Sequence, residues 1–222
     1  MRNLLLPISL LFFSAALSGQ KLQVGIIAGA NLSEAHWYRT ESLSDKSKLL
    51  SENSLLTGWQ AGLTASFALN DQLTLQASPM FVRRGTESYA EFALPPRVQV
   101  KLDYLDLPLL LRYHPVEEIF VEAGPYLGYR LAANSYYGGE AIATEETLGE
   151  YYCKWDAGAI LGLGYQVAPY LAIQLRAAHG LLGLLTDEVY FTNAEGETIP
   201  RGEAPLYLNR SIQLSACYSF SL

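Results

Sequence analysis

The sequence predicts an all-β fold: an eight-stranded antiparallel transmembrane β-barrel with an up-and-down meander. Three observations predict it, namely an N-terminal export signal, eight long segments in which apolar and polar residues alternate, and connections that alternate between short and long. The chain has 222 residues, a length that suits one domain of this kind. Half of the residues are hydrophobic and 17% are charged, a composition too apolar for intrinsic disorder.

The N-terminus has the features of a signal peptide. Arg2 supplies a positive charge, an apolar stretch runs from Leu4 to Leu17, and small residues up to Gly19 suit a cleavage site. The apolar stretch is shorter than the roughly 20 residues that a membrane-spanning helix needs. We therefore predict a signal peptide over residues 1–19 and a β-barrel domain over 20–222, located in the outer membrane of a Gram-negative bacterium. A buried N-terminal helix is the alternative.

The alternation is clearest from Leu206 to Leu222, where one face is almost wholly apolar and the other almost wholly polar. A period of two residues predicts a β-strand. These segments exceed the roughly 5–6 residues of an ordinary strand and reach the roughly 9–11 that a tilted strand needs to cross a bilayer. Seven further segments show a weaker form of the pattern: Lys21–Asn31, Thr57–Leu69, Leu73–Thr86, Val98–Tyr113, Ile119–Ala133, Lys154–Val167 and Tyr170–Leu184.

The connections between these segments alternate in length. The short ones follow Leu69, surround Pro115 and lie at Ala168-Pro169, whereas long ones follow Asn31, Thr86, Ala133 and Leu184. Outer-membrane barrels have short periplasmic turns and longer external loops. With eight strands and both termini in the periplasm, all four long connections fall on the external side.

The polar face is predicted to line the interior of the barrel. Period two alone does not distinguish inside from outside, so a soluble eight-stranded barrel or a β-sandwich is the alternative. Long polar side chains interleave with glycines on this face, and a small barrel holds long side chains only beside small ones. The predicted lumenal cluster has a structural role and comprises Arg84, Asp106, Arg112, Glu122, Arg130, Asp156 and Arg176.

Opposite charges within this lumen should pair, because an unpaired buried charge is costly. Around the Pro115 turn we expect Leu110 across from Glu122, with Arg112 diagonal to that carboxylate and within reach of it. We also expect Arg130 to meet Asp156 near the outer end, and Arg176 to face Gly162. Eight strands leave an interior that side chains fill, so a conductance channel ranks last among the functions.

Several segments resemble those of a known family. The segments Tyr104–Tyr113 (YLDLPLLLRY), Ala123–Tyr129 (AGPYLGY) and Asp156–Gly158 resemble the PorT-like outer-membrane β-barrel proteins of Bacteroidetes, and the last strand with Tyr218–Phe220 does so too. The resemblance implies the barrel architecture and a C-terminal aromatic signal for the barrel-assembly machinery, although this chain ends in Leu222. For a few family members it also implies a place in a secretion or gliding apparatus.

The histidines form no recognisable site in the sequence. His36 is expected in the first external loop, His114 at a periplasmic turn, and His179 has no serine nearby. No His or Cys spacing matches a zinc site, and no acidic loop matches a calcium hand. We therefore predict no catalytic residue, no metal and no cofactor. A lipid- or small-molecule-modifying enzyme at the outer rim remains the alternative.

The external loops are acidic, and the net charge of −7 disfavours nucleic acid as a partner. We expect a structural or partner-binding role, with outer-membrane lipid, another envelope protein and the barrel-assembly machinery as partners. A divalent-cation role for the loop carboxylates stays open. The loop residues proposed for partner contact are Glu140, Glu145, Glu146, Glu150, Asp187, Glu188, Glu195 and Glu197.

The two cysteines are predicted to remain thiols. Cys153 falls at the external end of a strand and Cys217 near the periplasmic end of another. The two ends of the apolar band are roughly 25 Å apart. A disulfide needs Cα atoms within about 7 Å.

Overall fold

A computed structural model of the chain describes residues 22–38, 53–89, 97–186, 189, 197–199 and 206–221. The predicted signal peptide lies outside the described residues, as do Asp187, Glu188 and Glu195 of the predicted loop acids. No helix in the described part of the chain has the length and apolarity needed to cross a membrane.

The described residues form eleven strands and one short helix. The strands are β1 (Leu22–Tyr38), β2 (Asn53–Ser54), β3 (Leu56–Ala68), β4 (Leu73–Ala77), β5 (Met80–Tyr89), β6 (Arg97–Tyr113), β7 (Ile119–Tyr137), β8 (Glu140–Ala143), β9 (Trp155–Ala168), β10 (Leu171–Gly180) and β11 (Leu206–Ser221), and the helix is α1 (Glu145–Leu148).

The antiparallel pairings run round a ring of eight strands. β1 pairs with β3, β3 pairs with β4 and β5, and these two lie end to end along β6. The ring continues through β7, β9, β10 and β11, and β11 pairs with β1 from Gln23↔Ser221 to Tyr38↔Leu206. The predicted all-β antiparallel fold with eight strands in the ring is confirmed.

Two ends of the ring are distinguished by their connections. The short-turn end carries turns 69–72, 114–118 and 169–170, and the loop end is the opposite one, where β1 ends at Tyr38 and β10 at Gly180. In the first turn the Asn70 side-chain oxygen accepts hydrogen bonds from the backbone N–H groups of Gln72 and Leu73, at 2.9 and 2.8 Å. At the loop end, Gly138 and Gly139 have positive φ values of 59° and 91°, as a two-residue β-hairpin turn requires.

The predicted strand Leu73–Thr86 is broken into β4 and β5 at Ser78-Pro79. Proline has no N–H to donate, so the ladder is interrupted there. Hydrogen bonds from Ser78 N to Pro108 O (3.1 Å) and from Leu63 N to Pro79 O (3.0 Å) bridge the interruption. The two pieces therefore act as one member of the ring.

Other strand ends also differ from the prediction. β1 continues to Tyr38 rather than ending at Asn31, because β11 pairs with it along this whole stretch. β10 ends at Gly180 rather than Leu184, because Leu184 turns inward and is 1% exposed. Residues expected in the first loop, His36 among them, thus belong to a strand.

The alternation places apolar side chains on the outside of the ring. On β6, Leu105, Leu107 and Leu109 are 46–51% exposed, whereas the inward residues Asp106 and Leu110 are at most 4% exposed. A soluble protein would show the reverse, since its large apolar side chains are mostly buried. The outer surface therefore suits a hydrocarbon environment.

The cysteines are not joined to each other. The Cys153 thiol lies 3.4 Å from the carbonyl oxygen of Leu185 at the loop end, and Cys217 is buried 3.8 Å from the Thr64 hydroxyl. Both are thiols, as predicted.

Glycines on the inner face make room for large neighbours, and Gly164 is the sharpest case. A Cβ at Gly164 would lie 2.1 Å from Cζ of Phe120, which is fully buried. We expect Gly164→Val to lower the free energy of unfolding by about 1–3 kcal/mol, the usual effect of overpacking. Urea unfolding in detergent micelles measures this. Ala216→Val, which adds two methyl groups at an outward, exposed position, should have no such effect; equal losses would contradict the prediction.

Candidate functional site

The interior of the ring contains two charged layers with an apolar layer between them. The lower charged layer, nearer the short-turn end, consists of Arg112, Glu122 and Arg176, and the upper charged layer of Arg84, Asp106 and Asp156. All six residues are at most 8% exposed. The apolar layer between them comprises Leu110, Tyr126, Ile160 and Ala178.

In the lower charged layer one carboxylate holds two guanidinium groups. Glu122 accepts from Arg112 Nε at 2.8 Å and from Arg176 Nε at 2.5 Å. Arg112 lies directly opposite Glu122, so the expected register with Leu110 across from Glu122 is wrong by two residues, while the ion pair itself is present. Arg176 faces Gly162, as expected, and a Cβ there would lie 3.0 Å from the arginine Cγ.

Phe120 and His114 lie below this layer. Arg112 stands 4.3 Å above the Phe120 ring centroid, and the His114 ring is 5.4 Å from the Phe120 ring. Burial lowers the pKa of His114, and the positive charge of Arg112 lowers it further. The imidazole therefore favours its neutral form and adds no charge to the lower layer.

In the upper charged layer Arg84 bridges two aspartates. It forms ion pairs with Asp106 and, at 3.1 Å, with Asp156. Its guanidinium lies 4.7 Å from the Tyr104 ring centroid and 5.0 Å from that of Tyr126. The Tyr126 hydroxyl donates to Asp156 at 3.0 Å, so aromatic rings and ion pairs fill this level together.

The two charged layers balance each other electrically. Two arginines and one glutamate give the lower layer a formal charge of +1, and one arginine and two aspartates give the upper layer −1. Their sum is zero, which limits the cost of burying six charges. These ion pairs connect β5, β6, β7, β9 and β10 through the interior, so the arrangement supports a rigid interior.

The expected contact between Arg130 and Asp156 is wrong. The register places Gly128 opposite Asp156, which leaves Arg130 two residues nearer the loop end. There Arg130 pairs with Glu145 of α1 and donates hydrogen bonds of 3.0 Å to the carbonyl oxygens of Gly149 and Tyr152. Arg130 thus anchors the segment from α1 to β9 over the loop end of the ring.

Apolar residues seal the same end. A buried cluster beneath α1 comprises Ala35, Leu102, Tyr104, Ala133, Leu184 and Tyr207. Leu148 of α1 and Tyr152 pack against it, and burial raises the pKa of Tyr152. Among the described residues, packed side chains and the Arg130 anchor therefore fill this part of the loop end.

The predicted loop acids divide into two kinds. Glu145 accepts hydrogen bonds from Arg130 and from the backbone N–H of Ala133 (2.7 Å), so it anchors α1 to β7, and its side chain is 39% exposed. Glu140, Glu146, Glu150 and Glu197 are exposed. Among the described residues no group of three or more His, Cys, Asp or Glu side chains is placed to hold a metal ion.

A cluster on the outer face was not found from the sequence. It consists of Glu34, His36, Tyr38, His179 and Arg210, and is called the outer-face cluster below. Arg210 pairs with Glu34, the His36 Nδ1 lies 3.8 Å from the same carboxylate, and the Tyr38 ring contacts both histidines at 4.8 and 6.1 Å. The signal for it was the alternation of Leu32, Glu34, His36 and Tyr38 along one face of β1.

This cluster offers no serine for acyl transfer among the described residues. Ser33 and Ser211, the adjacent serines on β1 and β11, point inward and are 1% and 6% exposed. The Ser33 hydroxyl donates to the carbonyl oxygen of Gly85, and Ser211 accepts from Gln213. Among the described residues, His36 therefore lies beside a carboxylate but not beside a serine hydroxyl.

The lower charged layer predicts a large effect of removing its only carboxylate. Glu122→Gln should lower the free energy of unfolding by about 3–5 kcal/mol, because two buried arginines lose their counter-charge. Guanidinium unfolding followed by tryptophan fluorescence in micelles measures it. Glu118→Gln, which removes an exposed carboxylate in the adjacent turn, is the control, and equal stability of the two variants would refute the layer's role.

Several solved structures are similar to this chain, while no relative was found among curated proteins. Neisserial surface protein A has 12% identity and a TM-score of 0.48, over 90% of this chain and 97% of its own. Ail, the attachment invasion locus protein of Yersinia pestis, has 12% identity and a TM-score of 0.42, over 89% and 98%. The outer membrane protease OmpT from Escherichia coli has 10% identity and a TM-score of 0.31, over 91% and 97%.

A match to a protein-family model assigns the chain to a family, and the fold described above agrees with that family. The model of the outer membrane protein beta-barrel domain matches residues 15–185, which is more than half of the chain. Its range covers the ring strands from β1 to β10 and both charged layers of the interior. With a ring of eight antiparallel strands, an apolar outside and a charged interior, the chain belongs to the outer membrane protein beta-barrel domain family.

Proposed function

We propose that this protein is a closed, non-conducting outer-membrane barrel that acts as a structural or partner-binding protein through its external end. One observation carries the proposal: buried side chains fill the interior, with the apolar cluster of Leu110, Tyr126, Ile160 and Ala178 between the two charged layers. An eight-stranded barrel has just enough interior volume for its side chains. The scaffold is therefore rigid, and recognition falls to its ends.

The loop end is assigned to the outside of the cell. Barrels of this class have short periplasmic turns and longer external loops. The longer connections here are those from β1 to β3, from β5 to β6, from β7 to β9 and from β10 to β11. Export by a signal peptide over residues 1–19 and a periplasmic N-terminus agree with this orientation.

The external end presents carboxylates on an anchored platform. Arg130 fixes α1 and the residues after it, and Glu140, Glu146 and Glu150 project from this platform into solvent. A preorganised surface loses less conformational freedom on binding. Its partner is an envelope protein with a basic surface, because complementary charge favours encounter and register.

Membership in the PorT-like group of Bacteroidetes is also inferred. The YLDLPLLLRY stretch forms most of β6, with Tyr104, Asp106 and Arg112 inward. Pro108 of the same stretch accepts the hydrogen bond that bridges the break between β4 and β5. The motif thus carries residues of both charged layers, which supports a shared architecture.

Planar-bilayer recording tests the closed interior. The wild-type protein should give no single-channel steps, and replacing Leu110 and Tyr126 together by alanine should produce them, because the apolar layer is thinned. The control replaces their outward neighbours Leu109 and Leu127, which are 46% and 47% exposed, by alanine. Steps from the wild type or from the control would contradict a sealed lumen.

Co-purification from native outer membranes tests the partner-binding role. Replacing Glu140, Glu146 and Glu150 together by glutamine should reduce the recovery of a stoichiometric partner several-fold, because the charge of the platform is removed. Quantitative mass spectrometry of the tagged protein measures recovery. The matched triple replaces Asp71, Glu117 and Glu118, which are exposed at the short-turn end, by their amides. Equal recovery with both triples would refute the role of the external acids.

A further inference from the structure

A groove crosses the outer surface of the ring beside the outer-face cluster. It has a volume of about 570 Å³ and lies over β9, β10, β11 and β1. Its floor is lowered by Ala159 and Ala177, and its apolar walls are Leu32, Leu161 and Ile212. Leu161 and Ile212 are 67% and 56% exposed, so the walls stand out from the surface.

Charged residues form the upper rim of this groove. The strand register aligns Ala159, His179, Arg210 and Glu34 in one row across β9, β10, β11 and β1. The next outward row toward the short-turn end is Leu161, Ala177, Ile212 and Leu32. The groove therefore begins at a cationic and imidazole-bearing row and continues into the apolar band.

We propose that this groove binds a phosphorylated glycolipid of the outer leaflet, of the lipid A class. One acyl chain lies over Ala159 and Ala177, and a phosphate contacts Arg210 and His179 at the rim. The inference rests on the external orientation proposed above but goes beyond the partner-binding role.

Charge and position support this occupant. Guanidinium groups bind phosphate through paired, charge-assisted hydrogen bonds, and an imidazole beside them adds a further donor. The long-loop end of an outer-membrane barrel faces the leaflet that contains lipid A. At the boundary between the apolar band and the polar rim, the acyl chain contacts apolar side chains and the phosphate contacts cationic ones.

Glu34 is expected to weaken phosphate binding at this site. Its carboxylate pairs with Arg210 and lies 3.8 Å from the His36 Nδ1, so it competes with a phosphate for the same cation. Removing this negative charge should strengthen phosphate binding, whereas removing the positive charge of Arg210 should weaken it. These opposite signs distinguish phosphate recognition from adhesion of acyl chains alone.

Arg83 provides a matched control on another part of the outer surface. Its side chain is 35% exposed and pairs with Asp103, while that of Arg210 is 36% exposed and pairs with Glu34. Arg83 lies 5.9 Å from the Trp59 ring, which stacks on Phe81, and it does not line the groove. The two arginines thus have similar exposure and the same type of partner, but only Arg210 lines the groove.

Native mass spectrometry of the detergent-purified full-length barrel, titrated with diphosphorylated lipid A, tests the proposal. The wild type should bind one lipid. Arg210→Gln should weaken binding roughly tenfold or more, since hydrogen bonds to charged groups contribute strongly. Ala177→Leu should weaken binding by filling the groove, Glu34→Gln should strengthen it, and Arg83→Gln should leave it unchanged.

Several outcomes would overturn the proposal. Equal losses of lipid A affinity in Arg210→Gln and Arg83→Gln would show that Arg210 forms no specific site. Equal binding of dephosphorylated lipid A would show that the phosphate is not recognised. Equal binding of phosphatidylglycerol would overturn the assignment to lipid A. Heat-modifiable migration on gels verifies folding, and Glu34→Gln and Ala177→Leu test the site independently if Arg210→Gln fails to fold. Because no partner protein is present, failure here is separate from failure of the partner-binding role.

Discussion

Six buried charges must find counter-charges inside the ring, and this constraint determines much of the rest of the structure. Glu122 compensates Arg112 and Arg176, and Arg84 compensates Asp106 and Asp156. Each group of charges joins one pair of consecutive strands to a strand that is distant in sequence. A shift of one residue in β5, β6, β7, β9 or β10 would turn its inward charges outward. The ion pairs therefore specify the register. A charge turned outward would face the apolar exterior, where neither solvent nor a counter-charge could compensate it.

The same constraint connects the interior to the external surface. Three charged levels follow one another along the barrel: the lower layer, the upper layer, and the Arg130 anchor. The first two balance to zero, whereas Arg130 finds its carboxylate in α1. Among the described strands, none provides a counter-charge for Arg130. Its partner Glu145 lies instead in the segment that connects β7 to β9. The fold of that segment is in this sense a consequence of the barrel's electrostatics.

Much of the ring could be predicted from the sequence because a period of two residues is a local property. The inward position of Asp106 and Arg112 follows from it, as does the place of glycines beside long side chains. Contacts that depend on register could not be predicted in the same way. The partner of Arg130 depended on the path of the long connection after β7. The end of β1 was missed because polar Glu34 and His36 continue an alternation that hydropathy alone does not reveal.

The outer-face cluster shows why composition is a poor guide on a barrel surface. Arg210 and Arg83 are both outward arginines of similar exposure with a carboxylate partner. Around Arg83, the Trp59 and Phe81 rings stack 4.8 Å apart and fill the adjoining surface. Around Arg210, alanines on β9 and β10 leave that space open. Small residues next to a charged rim, rather than the charge itself, give this part of the surface a shape that can hold a lipid.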